Sequence, residues 1–146
     1  MPLLPNRTIL AIGAVVDIAM YSGKEPVRAL DLVDRLQLPR RCLDHVLQAL
    51  VREGILRGRR GPLGGYRLAK AQQAISVHNI SEAVRTIEPE EPSEELSGLL
   101  EAVVMPALTP AERSFASTLR RMTVEDLVQA ASLQMLVSYK PDAIAN

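Results

Sequence analysis

Apolar positions recur at helical spacing from the start of the chain. Between about Arg7 and Tyr21 the residues Ile9, Ile12, Val16, Ala19 and Met20 form one stripe, and Ser22-Gly23 ends it. Pro26 stands where a second helix can begin, with Val27, Leu30, Val33 and Leu36 at three-residue steps and an end near Gln37. Leu38-Pro39 is a break, because proline disfavours helical backbone in the residue before it and is tolerated in a first turn. A third helix is expected from about Arg40 to Glu53, with Leu43, Val46, Leu47 and Leu50 inward and Gly54 just past its end. Two short helices separated by about three residues, the second opening with charged side chains, make a helix-turn-helix pattern.

After Gly54 the period changes. Ile55-Leu56-Arg57-Gly58-Arg59 and Tyr66-Arg67-Leu68-Ala69 read as short strands flanking Arg60-Gly61-Pro62-Leu63-Gly64-Gly65, a turn-rich stretch that predicts a β-hairpin, or wing. Ser81 or Asn79 is a candidate cap for a further helix through Ile87. Glu88 to Glu95 holds five glutamates and two prolines, too polar to bury anything, and is expected to be a solvated linker. Thr109-Pro110-Ala111-Glu112 reads as a capping box that starts a helix carrying Phe115, Leu119 and Met122. Thr123-Val124-Glu125-Asp126 repeats the cap signal ahead of Leu127, Val128, Ala131 and Met135, and the end beyond Pro141 is expected to fray. No internal repeat is visible. The expected fold is mainly α with a small β wing: a winged helix-turn-helix at residues 1–86, an acidic linker and short helix at 87–108, and a long C-terminal helical region at 109–146.

Composition adds two constraints. With 146 residues the chain is one domain or a small domain with an appendage. Its single cysteine, Cys42, excludes an internal disulfide and any metal or iron–sulfur site that needs two thiolates from one chain. No secretory apolar core is read at the start, and the run from Ile9 to Met20 is interrupted by Asp17 and too short to span a bilayer, so the expected location is cytoplasmic with no membrane partner.

Net charge is zero, but it is divided. Residues 1–81 carry twelve Lys/Arg against six Asp/Glu, and residues 82–146 carry five against eleven. Eight of the basic residues fall between Arg40 and Lys70, where there are only two acids. A basic stretch of this kind attracts polyphosphate locally even in a neutral molecule.

The candidate site residues follow from that stretch. Arg40, Arg41, Asp44 and His45 point away from the apolar face of the third helix, where arginine can read guanine or grip phosphate and aspartate can accept from cytosine. Arg59 and Arg60 lie at the wing tip, suited to a minor groove or a phosphate, with Gly61 in the turn; Arg28 opens the second helix. Gly61, Gly64 and Gly65 are backbone devices rather than a phosphate cradle, since no helix N-terminus follows them. Cys42 has two readings, a small buried hydrophobe or a redox-switch thiol activated by Arg40, Arg41 and His45. His78 has no second ligand at metal spacing, and no nucleophile–base arrangement or phosphate loop is present, so the chain is not read as an enzyme.

At the wing these residues resemble a known family. Leu47, Leu50, Glu53-Gly54-Ile55-Leu56, Arg60-Gly61-Pro62-Leu63-Gly64-Gly65-Tyr66 and Leu68-Ala69 are similar to the Rrf2 family of bacterial transcription regulators. The first helix, Ile80-Ser81-Glu82-Ala83-Val84 and Met122-Thr123-Val124-Glu125-Asp126-Leu127 fit the same pattern. The resemblance implies a homodimer on double-stranded operator DNA; two recognition helices predict a palindromic site, and the expected action is that of a repressor. It also implies a C-terminal dimerisation helix, placing Phe115, Leu119, Met122 and Leu127 at the dimer interface. Many members carry three cysteines after the wing domain and bind an iron–sulfur cluster there. The stretch from Ile87 to Pro110 has neither cysteine nor histidine, so no cofactor is expected and the effector is left unspecified. The alternative is a winged-helix protein-interaction module without DNA affinity.

Overall fold

The computed structural model describes residues 3–85, 87 and 98–138. Helices α1 (Asn6–Tyr21), α2 (Ala29–Leu36) and α3 (Arg40–Arg52) are followed by strands β1 (Leu56–Arg59) and β2 (Gly65–Leu68). A 3-10 turn, Gln72–Ala74, leads into α4 (Val77–Arg85). The expected acidic linker at Glu88 to Glu95 and the expected frayed end beyond Pro141 lie outside the described residues. From residue 98 the chain continues with a π-helical turn, Leu100–Val104, then α5 (Met105–Arg121) and α6 (Val124–Ser138). This is the expected mainly helical winged fold.

The local signals explain most boundaries. Gln37 ends α2 in the left-handed region (φ 55°), where its side-chain amide donates to the Asp34 carbonyl at 2.8 Å and satisfies one of the last-turn acceptors. Pro39 then stands at the N-cap position of α3, and Gly54 (φ 75°) follows its end while the Ile55 N–H returns to the Leu50 carbonyl at 3.0 Å. The two strands are antiparallel, pairing Leu56 with Leu68, Arg57 with Arg67, Gly58 with Tyr66 and Arg59 with Gly65. Val27 adds a single bridge on the free edge of β2, exchanging both backbone hydrogen bonds with Tyr66 at 3.0 and 2.7 Å. Gly65 is compulsory there, because a Cβ on it would stand 2.5 Å from the Val27 carbonyl oxygen.

The core forms around α1. Ala11, Ala14, Val15 and Ile18 pack with Leu32 of α2, Leu43, Val46, Leu47 and Leu50 of α3, Leu56 of β1, Ile75, Ile80 and Val84 around α4, and Val124 of α6. A fully buried Leu, Ile or Val contributes about 1.5–3 kcal/mol through the apolar surface it removes from water. The spacing-based stripe of α1 is a different one. Ile12, Val16 and Met20 line a surface groove and Ile9 is exposed, because α1 is apolar on nearly every side and spacing alone cannot choose between its faces. Asp17, an interruption in the pattern, is buried: Arg35 of α2 donates to it from Nε at 2.9 Å and from Nη2 at 2.7 Å while lying 4.2 Å above the Tyr21 ring. These bonds push the Arg35 pKa further above its ordinary value and clamp α2 to α1.

Two helix starts differ from expectation. The cap of α4 is Ser76, not Ser81 or Asn79: its hydroxyl accepts from the Asn79 N–H at 3.0 Å, and the Asn79 side chain accepts from the Ser76 N–H at 2.9 Å. Thr109-Pro110 does not start a helix but lies inside one that runs unbroken from residue 98 to Arg121. The Thr109 hydroxyl donates to the Met105 carbonyl at 3.0 Å, so it bonds backwards instead of capping forwards. The Thr123 cap is as expected, reciprocal with Asp126 at 3.2 and 2.9 Å. The two capped starts also pair with each other, Val77 N–H to Met122 carbonyl and Val124 N–H to Ile75 carbonyl, which sews α6 onto the body.

Candidate nucleic-acid interface

Burying Leu43, Val46, Leu47 and Leu50 leaves the opposite face of α3 to solvent, and helical geometry fixes what it displays. Arg40, Arg41, His45, Gln48 and Arg52 are exposed and Asp44 is half-buried. The wing rises beside this face. Its turn is closed by the Gly64 N–H donating to the Gly61 carbonyl at 2.9 Å, with Gly61 at φ 103°. A Cβ on Gly64 would lie 2.3 Å from the Arg59 carbonyl oxygen, so the turn tolerates nothing larger.

Between the start of α2, the outer face of α3 and the wing lies an open cleft of about 620 Å³. Arg28, Arg40, Arg52, Arg59 and Arg60 line it, with Gln48, Tyr66 and the wing glycines, and no carboxylate does. Guanidinium groups this close repel one another and gain most from a polyanion. Arg28 makes only a long contact to Asp31, 3.5 Å from Nε, at an exposed position, which leaves it available. Burial raises the Tyr66 pKa, and the Asp44 charge raises it further, so its phenol stays protonated at the cleft wall.

The structure thus brings together Arg28, Arg40, Arg59, Arg60 and Gly61 from the sequence-derived set. Arg41 and His45 are exposed on the neighbouring side of α3 and do not line the cleft, and Cys42 is a half-buried free thiol. Sequence reasoning missed Gln48 and Arg52. The signal was present, since Arg40, Asp44, Gln48 and Arg52 are spaced by four and share one helix stripe. A glutamine there has the donor and acceptor that adenine recognition needs.

The four proposed interface residues fall in different surroundings. Leu119 is buried within its own chain, Phe115 and Leu127 are half-buried, and Met122 is exposed. The larger apolar exposure lies earlier, on Leu99, Leu100, Val103, Val104, Met105 and Leu108, all 37–67% exposed. A second apolar surface is the groove of about 560 Å³ where Ile12, Val16 and Met20 of α1 face Leu127 and Met135 of α6. Among the described residues, no helix is long and apolar enough to cross a membrane.

Residues 4–130 match the family model named Rrf2, described as an iron-dependent transcriptional regulator. The HTH-type transcriptional regulator IscR of Erwinia tasmaniensis is 35% identical over 81 residues, which is 56% of this chain and 49% of that protein. IscR of Vibrio cholerae is 34% identical over 81 residues, 56% and 47% of the respective chains. The aligned part spans about half the length of these curated relatives. Two solved structures share the fold: T. potens IscR, with a TM-score of 0.70 at 22% identity over 89% of this chain and 88% of that one, and CymR of B. subtilis, with a TM-score of 0.66 at 22% identity over 89% and 98%.

Iron in the family description raises the question of ligands. Iron–sulfur clusters are held mainly by thiolates, and this chain has one cysteine, set on α3 away from α5. Among the described residues no group of three His, Cys, Asp or Glu side chains could hold a metal ion. The donor set does not fit such a cluster.

Proposed function

The chain belongs to the Rrf2 family, a family of transcription regulators rather than enzymes, and from that premise we propose that it is a sequence-specific DNA-binding regulator acting as a homodimer. The observation that carries this reading is the cleft between α3 and the wing, with five arginines and no carboxylate. In this reading α3 enters a major groove, where Gln48 and Arg40 meet base edges. Arg28 and Arg52 hold phosphates, and Arg59 and Arg60 reach the adjacent minor groove.

The dimer is supported by the unpaired apolar surfaces. Leu99 through Leu108 on one side, and the α1–α6 groove on the other, are what a second copy would remove from water. Residues 1–86 would then bind DNA and the helices from residue 98 onward would join the protomers. Two recognition helices related by a two-fold axis favour a palindromic operator with half-sites about 34 Å apart, and occupation of a promoter in this way would make the protein a cytoplasmic repressor.

The test is selection of duplexes from a random-sequence library by the purified protein, followed by footprinting. A palindromic consensus bound by a dimer, with affinity falling steeply as salt rises, is the expected result. Failure to retain any duplex at low salt would overturn the reading in favour of a protein-interaction module.

A further inference from the structure

The face of the hairpin turned away from the Leu56–Leu68 packing layer is also basic. In a two-stranded ribbon alternate residues share a face, so Arg57 and Arg59 of β1 lie on one side with Gly65 and Arg67 of β2. These four, with Pro26 and Gly58, line a second groove of about 340 Å³. Arg57 and Arg67 are direct cross-strand partners, an arrangement in which like charges destabilise the ribbon. Among the described residues, no carboxylate lies within ion-pair distance of Arg57, Arg59 or Arg67.

Arg67 is held in place by neutral partners. Its guanidinium donates to the Gly23 carbonyl at 2.8 Å and to the Lys24 carbonyl, so its position is fixed while its charge stays uncompensated. Arg57, directly opposite, is exposed. As cross-strand neighbours with no carboxylate beside them among the described residues, Arg57 and Arg67 would both gain from a phosphate placed between them.

We propose that Arg57 and Arg67 form a second phosphate contact on the outer face of the wing, gripping the DNA backbone on the far wall of the minor groove that the wing tip enters. This rests on the DNA-binding reading and deepens it. A hairpin standing in a minor groove has a phosphate backbone on each side, and this one carries Arg60 at its turn and Arg57 and Arg67 on the face away from Leu56 and Leu68. Arg60 in the turn meets the strand shared with the α3 cleft, and the face that carries Arg57, Arg59 and Arg67 meets the opposite strand. Arg67 acts as a pre-positioned charge, and Arg57 closes on the phosphate.

The experiment uses the full chain and a duplex selected by the unmodified protein from a random-sequence library. Affinity is measured against salt concentration for the unmodified protein, Arg57→Ala and Arg57→Lys. Losing one phosphate contact should reduce the slope of log affinity against log salt by about 0.9 per protomer, with affinity falling roughly five- to tenfold per protomer near 0.1 M salt. The fall should be equal across operator variants, and Arg57→Lys should keep the slope. Free Arg57→Ala should melt no lower than the unmodified protein, since the substitution removes a like-charge pair. A selected duplex bound by Arg57→Ala with an unchanged slope would overturn the outer contact and leave the DNA reading standing. An unmodified protein that retains no duplex overturns both.

Discussion

The α3–wing face and the helical rod from residue 98 to Arg121 are both exposed, for opposite chemical reasons. The first displays arginines that water solvates well, on a platform whose reverse side is fully buried. The second displays Leu99, Val103 and Leu108, which water does not favour, on a helix that among the described residues is buried only at Leu119. An exposed charged face needs no partner to be stable and gains one through electrostatics. An exposed apolar face is incomplete until something covers it. The comparison therefore fits the proposed division, salt-dependent binding on one region and assembly on the other.

The largest effect should come from Leu119→Glu. Leu119 is buried within the chain, so an unpaired carboxylate there should destabilise folding by about 3–5 kcal/mol, seen as a lowered denaturation midpoint at all protein concentrations. Val103→Glu, on the exposed stretch, should leave the folded protomer intact and weaken self-association by a factor of roughly a hundred if it lies at the centre of the seam, as in other buried interface positions. Sedimentation that showed equal association for Val103→Glu and the unmodified protein would remove the contrast between the two regions.

On the charged region the effects should be smaller and confined to binding. Arg52→Ala should reduce the salt slope by about one unit per protomer, whereas Gln48→Ala should cost about 1–3 kcal/mol at one base position and leave the slope unchanged. Thermal melting of both free proteins should stay within about 0.5 kcal/mol of the original, as expected of surface substitutions. The smallest effect concerns pH. The Tyr66 pKa is raised by burial and by Asp44, so the protonated phenol is favoured in the folded state. Its contribution is complete below the unfolded tyrosine value near 10 and is lost as pH rises through the higher folded value. Tyr66→Phe should flatten the alkaline end of the stability profile; an unchanged profile would remove Tyr66 from that role.

Where one face of an element is clearly polar, the sequence was readable. The amphipathic α3 and the glycine-rich turn stand where spacing puts them, because Leu43, Leu47 and Leu50 have only one face to share and Gly64 has no room for a side chain. Where apolar residues surround a helix, as in α1, spacing named the groove face and missed the buried one. Buried Asp17 was read as an interruption, since its partner Arg35 lies eighteen residues away on another helix. Thr109-Pro110 gave a false start for the related reason that a capping pattern is local, while the helix that absorbs it begins a full three turns earlier. In the site, arginines clustered in sequence were found, but Gln48 and Arg52 required following one helix stripe past the charged first turn.

The contact of Gly65 with Val27 has a mechanical consequence. Two backbone hydrogen bonds, a glycine too close for any side chain, and the Arg67 clamp on Gly23 and Lys24 fasten the hairpin to the segment that feeds α2. The wing therefore has no hinge of its own: it turns when the α2–α3 unit turns, as one tooth of a gear moves with the wheel. The separation between the α3 face and the wing tip behaves as a fixed gauge, and a signal that loosens the protein from DNA has to tilt the whole gauge rather than fold one of its jaws away.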